Sequence, residues 1–217
     1  MYTYMDELKK EFLNQAIAAN ALKFGNFTLK SGRKSPYFFN MGELYSSKSL
    51  TMIGKIYAAT IARAGLSPDV IYGPAYKGIS ISVATAISLG EHNINAGYAF
   101  HRKEAKGHGE GGSLVGAKLS GDIVIVDDVI TKGTALRQSV SEIRKSKEAR
   151  ITGIVIALDR KERMDGDISA VRQLQEDEDI PIYPVLTIKD IMMLSQEAVD
   201  SNIFEAITTY QREFCVD

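Results

Sequence analysis

The fold of this chain is decided by the stretch Ile123-Val124-Ile125-Val126-Asp127-Asp128-Val129-Ile130-Thr131-Lys132-Gly133-Thr134-Ala135. Its first four residues are branched and apolar, which predicts a strand buried on both faces of a parallel sheet. Two acids stop that run, and we expect them at the carboxyl end of the strand, where open α/β sheets bind ligands. Residues 131–135 then predict a tight turn that enters a helix over residues 136–145.

The turn and the two acids together indicate a particular kind of ligand. Small residues in the turn leave backbone N–H groups free to bind an anion at the helix N-terminus. Acids beside such a site repel the anion, unless the ligand also carries hydroxyl groups that donate to the carboxylates. Ribose 5-phosphate combines both groups. The alternative at this point is a buried strand followed by a solvated acidic turn.

Composition limits the remaining possibilities. A chain of 217 residues predicts one domain over residues 1–217, and 45% hydrophobic residues can form a sizeable core. With 26 basic and 27 acidic residues, the chain has no electrostatic footprint for nucleic acid or an anionic membrane. No apolar run is long enough to span a bilayer, and the N-terminus does not resemble a signal peptide. A single cysteine fits a reducing compartment, so we expect a soluble, cytoplasmic protein.

Helical and strand patterns alternate after residue 65. Strands are predicted at 70–72, 96–100, 123–126, 154–158 and 182–186, with helical patterns between several of them. This alternation predicts an α/β fold in which a parallel sheet is flanked by helices on both faces. Residues 24–45, rich in glycine, serine and aromatic residues, do not fit that alternation. We expect them to form a small N-terminal hood over the ligand-binding edge of the sheet.

A glycine-rich basic loop over residues 102–112 is the second strong signal. Its glycines disfavour a packed helix or strand, so we expect a mobile lid. Its cations suit a leaving group whose negative charge grows as a bond breaks, as in diphosphate. They are Arg102, Lys103, Lys106 and His108. The alternatives are a solvated charged loop or a weak nucleic-acid patch. A zinc site at His101 and His108 is rejected, because no acid or cysteine cluster completes it.

The local sequence is less decisive about the role of two further segments, residues 73–78 and residues 37–39. Gly73-Pro74-Ala75-Tyr76-Lys77-Gly78 follows a strand and precedes a helix, so its amides and Lys77 can face a diphosphate. An ordinary Gly-Pro turn with an exposed lysine is equally compatible with the sequence. Tyr37-Phe38-Phe39 lies in the hood, and three neighbouring aromatic residues belong to a core more often than to a ligand site.

The segments described above, together with those named below, resemble the type I phosphoribosyltransferases in their order and spacing along the chain. Within that family they resemble the orotate phosphoribosyltransferases. The first segment is similar to the family's motif for phosphoribosyl diphosphate (PRPP). The other matching segments are Phe27-Thr28-Leu29-Lys30-Ser31-Gly32-Arg33, Ser35-Pro36-Tyr37-Phe38-Phe39-Asn40, Gly73 to Gly78, Arg102 to Gly112 and Leu158-Asp159-Arg160. One departure is Gly107, where many relatives have an acid; it removes no cation.

The resemblance implies an activity and a set of site residues. The activity is transfer of the phosphoribosyl group of PRPP to orotate, giving orotidine 5′-phosphate and diphosphate in pyrimidine (UMP) synthesis. The implied catalytic residues are Lys106, Arg102, Lys103, His108, Asp127 and Asp128. The implied PRPP-binding residues are these six together with Lys30, Tyr76, Lys77, Val129, Ile130, Thr131, Lys132, Gly133, Thr134 and Ala135. The implied orotate-binding residues are Lys30, Phe38, Phe39, Thr131 and Arg160, the last because a guanidinium suits the orotate carboxylate.

The resemblance also implies a cofactor and an assembly. Mg²⁺ is expected to be carried by the diphosphate with waters rather than by protein ligands. A two-fold homodimer is expected, in which the lid of each subunit reaches the neighbouring site. Two alternatives stay open, namely a phosphoribosyltransferase for another base and a PRPP-sensing regulator that binds nucleic acid without catalysis. Phe38, Phe39 and Arg160 argue against the first, and near-neutral charge argues against the second.

Overall fold

The computed structural model describes residues 3–29, 31–102, 113–130, 133–164, 166–195 and 200–216. A six-stranded sheet forms its centre. Its strands are β3 (Val70–Tyr72), β4 (Gly97–His101), β5 (Leu114–Gly116), β6 (Gly121–Val129), β7 (Ala149–Asp159) and β8 (Ile182–Thr187). Their order in the sheet is β5-β4-β3-β6-β7-β8, and all neighbouring strands are parallel except β5, which runs antiparallel to β4.

Helices cover both faces of this sheet, which confirms the predicted fold class. The helices are α1 (Tyr4–Ala18), α2 (Ser47–Arg63), α3 (Lys77–Glu91), α4 (Thr134–Ile143), α5 (Ala170–Glu178), α6 (Ile188–Ser195) and α7 (Ser201–Phe214). On one face of the sheet, Val124, Val126 and Val155 belong to a buried cluster with side chains from α1, α2, α3, α6 and α7. On the other face, Ile123, Ile125 and other branched residues belong to a second cluster with side chains from α4 and α5. None of the helices in the described ranges is both long and apolar enough to cross a membrane.

The N-terminal hood is a separate antiparallel hairpin of β1 (Leu22–Thr28) and β2 (Lys34–Phe39), followed by a short 3-10 helix, Met41–Glu43. It lies against the carboxyl end of β7, because Arg160 just beyond that strand donates to Ser35 of the hairpin. It also packs on α7 through an edge-to-face contact between Tyr37 and Tyr210. The expected position of the hood at this edge is therefore supported.

Several elements differ in extent from the sequence-based predictions. The two acids lie near the carboxyl end of β6, as expected, but the strand is longer than its four apolar residues and continues through Asp127 and Asp128 to Val129, since its ladder with β7 extends to the pair Val129–Leu158. The helix predicted over 136–145 begins and ends two residues earlier, as α4. The antiparallel strand β5 was not predicted, because three residues after the glycine-rich loop carry no clear period.

Candidate functional site

Strand alternation directs the two acids to opposite faces of the sheet. Asp127 follows the alternation of Ile123 and Ile125 toward α4, whereas Asp128 follows that of Val124 and Val126 toward α3. Because β6 lies between β3 and β7, both acids lie at the centre of the carboxyl edge. This is the position at which ligands bind open α/β sheets.

A concave surface lies at the entrance to α4. Gly133 precedes the helix in a left-handed conformation (φ 71°), and its carbonyl accepts from the amide of Arg137 at 2.9 Å. A cavity of about 250 Å³ opens there. It is lined by Asp127, Val129, Ile130, Gly133, Thr134, Ala135 and Leu136. The small side chains and the helix N-terminus suit a phosphate group. Thr131 and Lys132, predicted for the same site, lie outside the described residues.

Asp127 has a strongly perturbed acidity. Burial, followed by repulsion from Asp128, raises the pKa of Asp127 from 3.8 to about 7, although the amide of Asp128 and the charge of Lys77 oppose the rise. That amide donates to Asp127 Oδ1 at 2.9 Å. The hydroxyl of Tyr57 on α2 donates to the main-chain carbonyl of Asp127 at 2.8 Å and fixes the strand there. Tyr57 was not among the predicted site residues, and no sequence motif identifies it.

Lys77 joins the acid pair. Its ammonium lies 2.6 Å from Asp128 Oδ2, so a residue of the Gly73–Gly78 turn neutralises an acid that lies 51 positions away. The turn itself is tightly packed, since a Cβ on Gly73 would lie 2.0 Å from the carbonyl oxygen of Gly78. The Ala75–Tyr76 peptide bond is cis, and the side chain of Tyr76 is exposed. Tyr76 and Lys77 are thus brought to the edge that carries the acids.

Of the lid cations, only Arg102 is described. It directly follows β4, and its amide donates to the carbonyl of Ser113 at 2.7 Å, so the two ends of the loop are joined. Lys103, Lys106 and His108 lie outside the described residues. His101 Nδ1 is 2.9 Å from the hydroxyl of Tyr72. Within the described ranges, no group of three or more His, Cys, Asp or Glu residues is placed to hold a metal ion.

The three aromatic residues of the hood have different environments. Tyr37 is fully buried, Phe38 is 41% exposed, and Phe39 is partly buried. Phe38 packs against Phe27 with the ring centroids 5.7 Å apart. Alternation along β2 therefore places Phe38 on the face opposite Tyr37, while Phe39 shares the face of Tyr37. Lys30 lies outside the described residues.

Arg160 lies at the carboxyl edge of the sheet, two residues after Leu158, which forms the last pair of β7 with β6. Its guanidinium is centred 4.0 Å above the ring of Tyr37. Nε donates to Glu162 at 2.6 Å, and Nη2 donates to Ser35 at 2.9 Å. The structure brings Arg160 to the face of the hood that carries Tyr37 and Phe39, and not to the face of Phe38. Glu162 and Ser35 were not predicted as site residues.

Comparison with known proteins finds similarity along nearly the whole chain. The family described as "Phosphoribosyl transferase domain" matches residues 40–186. Orotate phosphoribosyltransferase of Photorhabdus laumondii is 45% identical over 212 residues, 97% of this chain and 99% of that protein. The protein of the same name from Escherichia coli O157:H7 is 44% identical over 214 residues, 98% of this chain and 100% of that protein.

A solved structure supports the same relationship. Orotate phosphoribosyltransferase of Francisella tularensis superposes with a TM-score of 0.82 at 36% identity. The superposition covers 94% of this chain and 99% of that one. The similarity therefore includes the hood and the C-terminal helices as well as the sheet.

Proposed function

This chain belongs to the family of orotate phosphoribosyltransferases, and we propose on that basis that its sheet-edge site transfers the phosphoribosyl group of PRPP to orotate. A ring nitrogen of orotate attacks the anomeric carbon, the bond from that carbon to diphosphate breaks, and orotidine 5′-phosphate forms. This is the phosphoribosyl step of UMP synthesis. The observation that carries the proposal is the acid pair beside the small-residue entrance to α4.

The acid pair and the cavity at α4 would bind different parts of PRPP. The ribose hydroxyls would donate to Asp127 and Asp128, and the 5-phosphate would accept from the amides of residues 131–135. Val129 and Ile130 complete the wall of the cavity. The transition state of glycosyl transfer resembles an oxocarbenium ion, and the two acids would stabilise the positive charge that develops. The ring of orotate already carries negative charge, so no acid–base pair is needed to generate the nucleophile.

The leaving diphosphate needs positive charge at the opposite side of the ribose. Lys77 would supply it from the α3 side, and the ion pair with Asp128 holds Lys77 at the edge of the sheet. Lys106 is the residue that we assign to stabilise or protonate the leaving group. Arg102, Lys103 and His108 would assist it, together with contacts from Tyr76 and Lys30. Such charges accelerate bond breaking when they are stronger in the transition state than in the ground state.

Mg²⁺ fits this site as a metal that arrives on the substrate. Asp128 is engaged by Lys77 and Asp127 accepts from an amide, so the described residues offer no cage of carboxylates. Diphosphate oxygens and water are ligands that Mg²⁺ accepts readily. When bound there, the ion neutralises charge on the diphosphate.

Orotate would be bound between the hood and the carboxyl edge of β7. Arg160 would bind its carboxylate, a group that uracil lacks, and Phe39 shares the face of the hood that contacts Arg160. Phe38, Lys30 and Thr131 complete the proposed set. Phe38 lies on the other face of the hairpin, where it packs against Phe27, so it would contact orotate from a different side than Phe39.

A direct assay tests the reaction. Addition of PRPP, Mg²⁺ and orotate to the purified protein should give a decay of orotate absorbance and release of one diphosphate for each orotate consumed. Uracil and adenine, added in place of orotate, serve as controls for a phosphoribosyltransferase of another specificity. A protein that binds PRPP but consumes none of the bases would instead support a PRPP-sensing regulator.

Sharing of the lid between two subunits needs its own test. Lys106→Ala removes the lid cation and Asp128→Asn removes a ribose contact, so each homodimer should be nearly inactive. Denatured and refolded together, the two variants should form mixed dimers in which one site has an intact pocket and an intact lid. Activity should return only after subunit exchange. Mixed dimers that form but stay inactive would show that each lid serves its own subunit.

A further inference from the structure

The carboxylate of Glu162 is the centre of a polar cluster outside the motifs found in the sequence. Two donors and one further cation converge on it: Arg160 Nε donates at 2.6 Å, the hydroxyl of Tyr210 donates at 2.5 Å, and Arg33 Nη1 forms an ion pair at 3.4 Å. They come from the loop after β7, from α7 and from the hood, respectively. Three parts of the fold therefore meet at one carboxylate.

The cluster holds the guanidinium of Arg160 from several sides. Its edge donates to Glu162 and Ser35, while its flat face lies on the ring of Tyr37. The ring of Tyr210 meets that of Tyr37 edge-on, at an interplanar angle of 84°. Burial, aided by Glu162, raises the pKa of Tyr210, so its hydroxyl stays protonated and donates to Glu162. Arg160 has little freedom to choose another rotamer in these surroundings.

The C-terminal segment also fixes the backbone that carries Arg160. The amide of Val216 donates to the carbonyl of Lys161 at 2.9 Å, and the amide of Arg163 donates to the carbonyl of Phe214 at 2.8 Å. The thiol of Cys215 lies 3.4 Å from the carbonyl oxygen of Arg160 itself. The end of α7 thus forms a short antiparallel bridge with the loop over residues 160–163.

We propose that Glu162 and Tyr210 are positioning residues for orotate, which hold Arg160 in the orientation that binds the orotate carboxylate. This inference rests on the proposed function. Charge supports it, because Glu162 neutralises one of the two cations Arg33 and Arg160 and leaves one positive charge for one carboxylate. Geometry supports it as well, since bidentate binding of a carboxylate depends on the plane of the guanidinium.

Two variants and a matched control test the inference. Tyr210→Phe removes the hydroxyl without a change of charge, and Glu162→Gln removes the charge at nearly constant size. Thr208→Val is the control, because its hydroxyl also lies on α7 but donates to Phe204 within the helix. Steady-state kinetics on the full chain should vary orotate and PRPP separately, with thermal unfolding measured for each variant.

We expect Tyr210→Phe and Glu162→Gln to raise the KM for orotate about tenfold, the order expected when a hydrogen bond that orients a charged group is lost. The KM for PRPP should change by less than about twofold, and Thr208→Val should leave both values unchanged. If one variant does not fold, the other decides the question. A folded variant with an unchanged KM for orotate, or with equal rises for both substrates, would overturn the inference.

The same experiment separates this inference from the proposed function. A wild-type protein that does not consume orotate would overturn the proposed function and the inference with it. A wild-type protein that consumes orotate, combined with variants that bind orotate normally, would overturn only the positioning role of Glu162 and Tyr210.

Discussion

Replacement of Asp127 by Asn should stabilise the ligand-free protein, and the gain should grow as the pH rises from 5 to 7. In the folded chain, burial and then repulsion from Asp128 raise the pKa of Asp127 to about 7, against 3.8 for an ordinary aspartate. Between these two values the folded protein keeps a proton that the unfolded chain has released. The stability due to that proton is complete below about pH 4 and is lost as the pH rises through about 7. Asn carries no charge at any of these pH values.

The size of this stabilisation follows from the shift in the pKa of Asp127. Each pKa unit corresponds to about 1.4 kcal/mol, so the rise from 3.8 to about 7 amounts to at most about 4 kcal/mol of unfolding free energy. Between pH 5 and pH 7 the difference between Asp127→Asn and wild type should therefore grow by about 2 to 3 kcal/mol. Above about pH 8 it should stay constant, because the carboxylate is then ionised in both states.

Urea unfolding followed by far-UV circular dichroism at pH 5, 6, 7 and 8 measures this difference. Asp167→Asn is a suitable control, because the side chain of Asp167 is 92% exposed. Its unfolding free energy should follow the wild-type pH profile. Parallel profiles for Asp127→Asn and wild type across the whole range would refute the assignment of a buried, protonated Asp127.

Ligand binding gives a second readout of the same proton. Ribose hydroxyls that donate to Asp127 favour its ionised form, so binding of PRPP with Mg²⁺ at pH 7 should release protons. Calorimetric titrations in two buffers with different ionisation enthalpies measure that release. The release should be smaller in Asp127→Asn, and equal release in both proteins would assign the proton to another group.

Three further predictions concern the same edge of the sheet. Asp128→Asn should stay folded while turnover falls by about a hundredfold or more, and a wild-type rate would contradict its ribose contact. Arg160→Ala should raise the KM for orotate far more than that for PRPP, and equal loss for both would make Arg160 purely structural. Gly73→Ala should lower the melting temperature sharply, because the new Cβ would lie 2.0 Å from the carbonyl oxygen of Gly78. Gly90→Ala is the control on helix α3: its Cβ would have no atom within 4 Å, so it should raise the melting temperature by a few degrees.

The sheet could be predicted from the sequence because its signal is local. Branched apolar runs such as Ile123–Val126 and Ile154–Leu158 are continuous, as in strands that are buried on both faces, and the structure buries them completely. The strand β6 extends beyond its apolar run for a physical reason. Charged residues usually end a buried run, but at the carboxyl edge the hydrogen-bond ladder with β7 continues while the side chains already face the ligand site.

The contacts within the site depend on side chains that are far apart in sequence. Lys77 and Asp128 belong to two different predicted motifs, and only the parallel neighbours β3 and β6 bring them to 2.6 Å. Glu162 and Tyr210 are 48 positions apart and belong to no motif at all. A single sequence has no signal for such pairs, because it shows neither which helix crosses which loop nor which side chain points inward.

The sequence contains an electrostatic conflict that contacts within the protein resolve in part. Two adjacent acids should repel the phosphate for which the entrance to α4 is suited. Alternation along β6 separates their environments, so that Lys77 neutralises Asp128, while burial and the repulsion from Asp128 raise the pKa of Asp127 to about 7. The edge therefore carries much less than two negative charges when PRPP approaches. In the proposed complex, ribose hydroxyls that donate to Asp127 would favour its ionised form, and diphosphate would draw Lys77 away from Asp128, so that both carboxylates would face the positive charge that develops on the ribose.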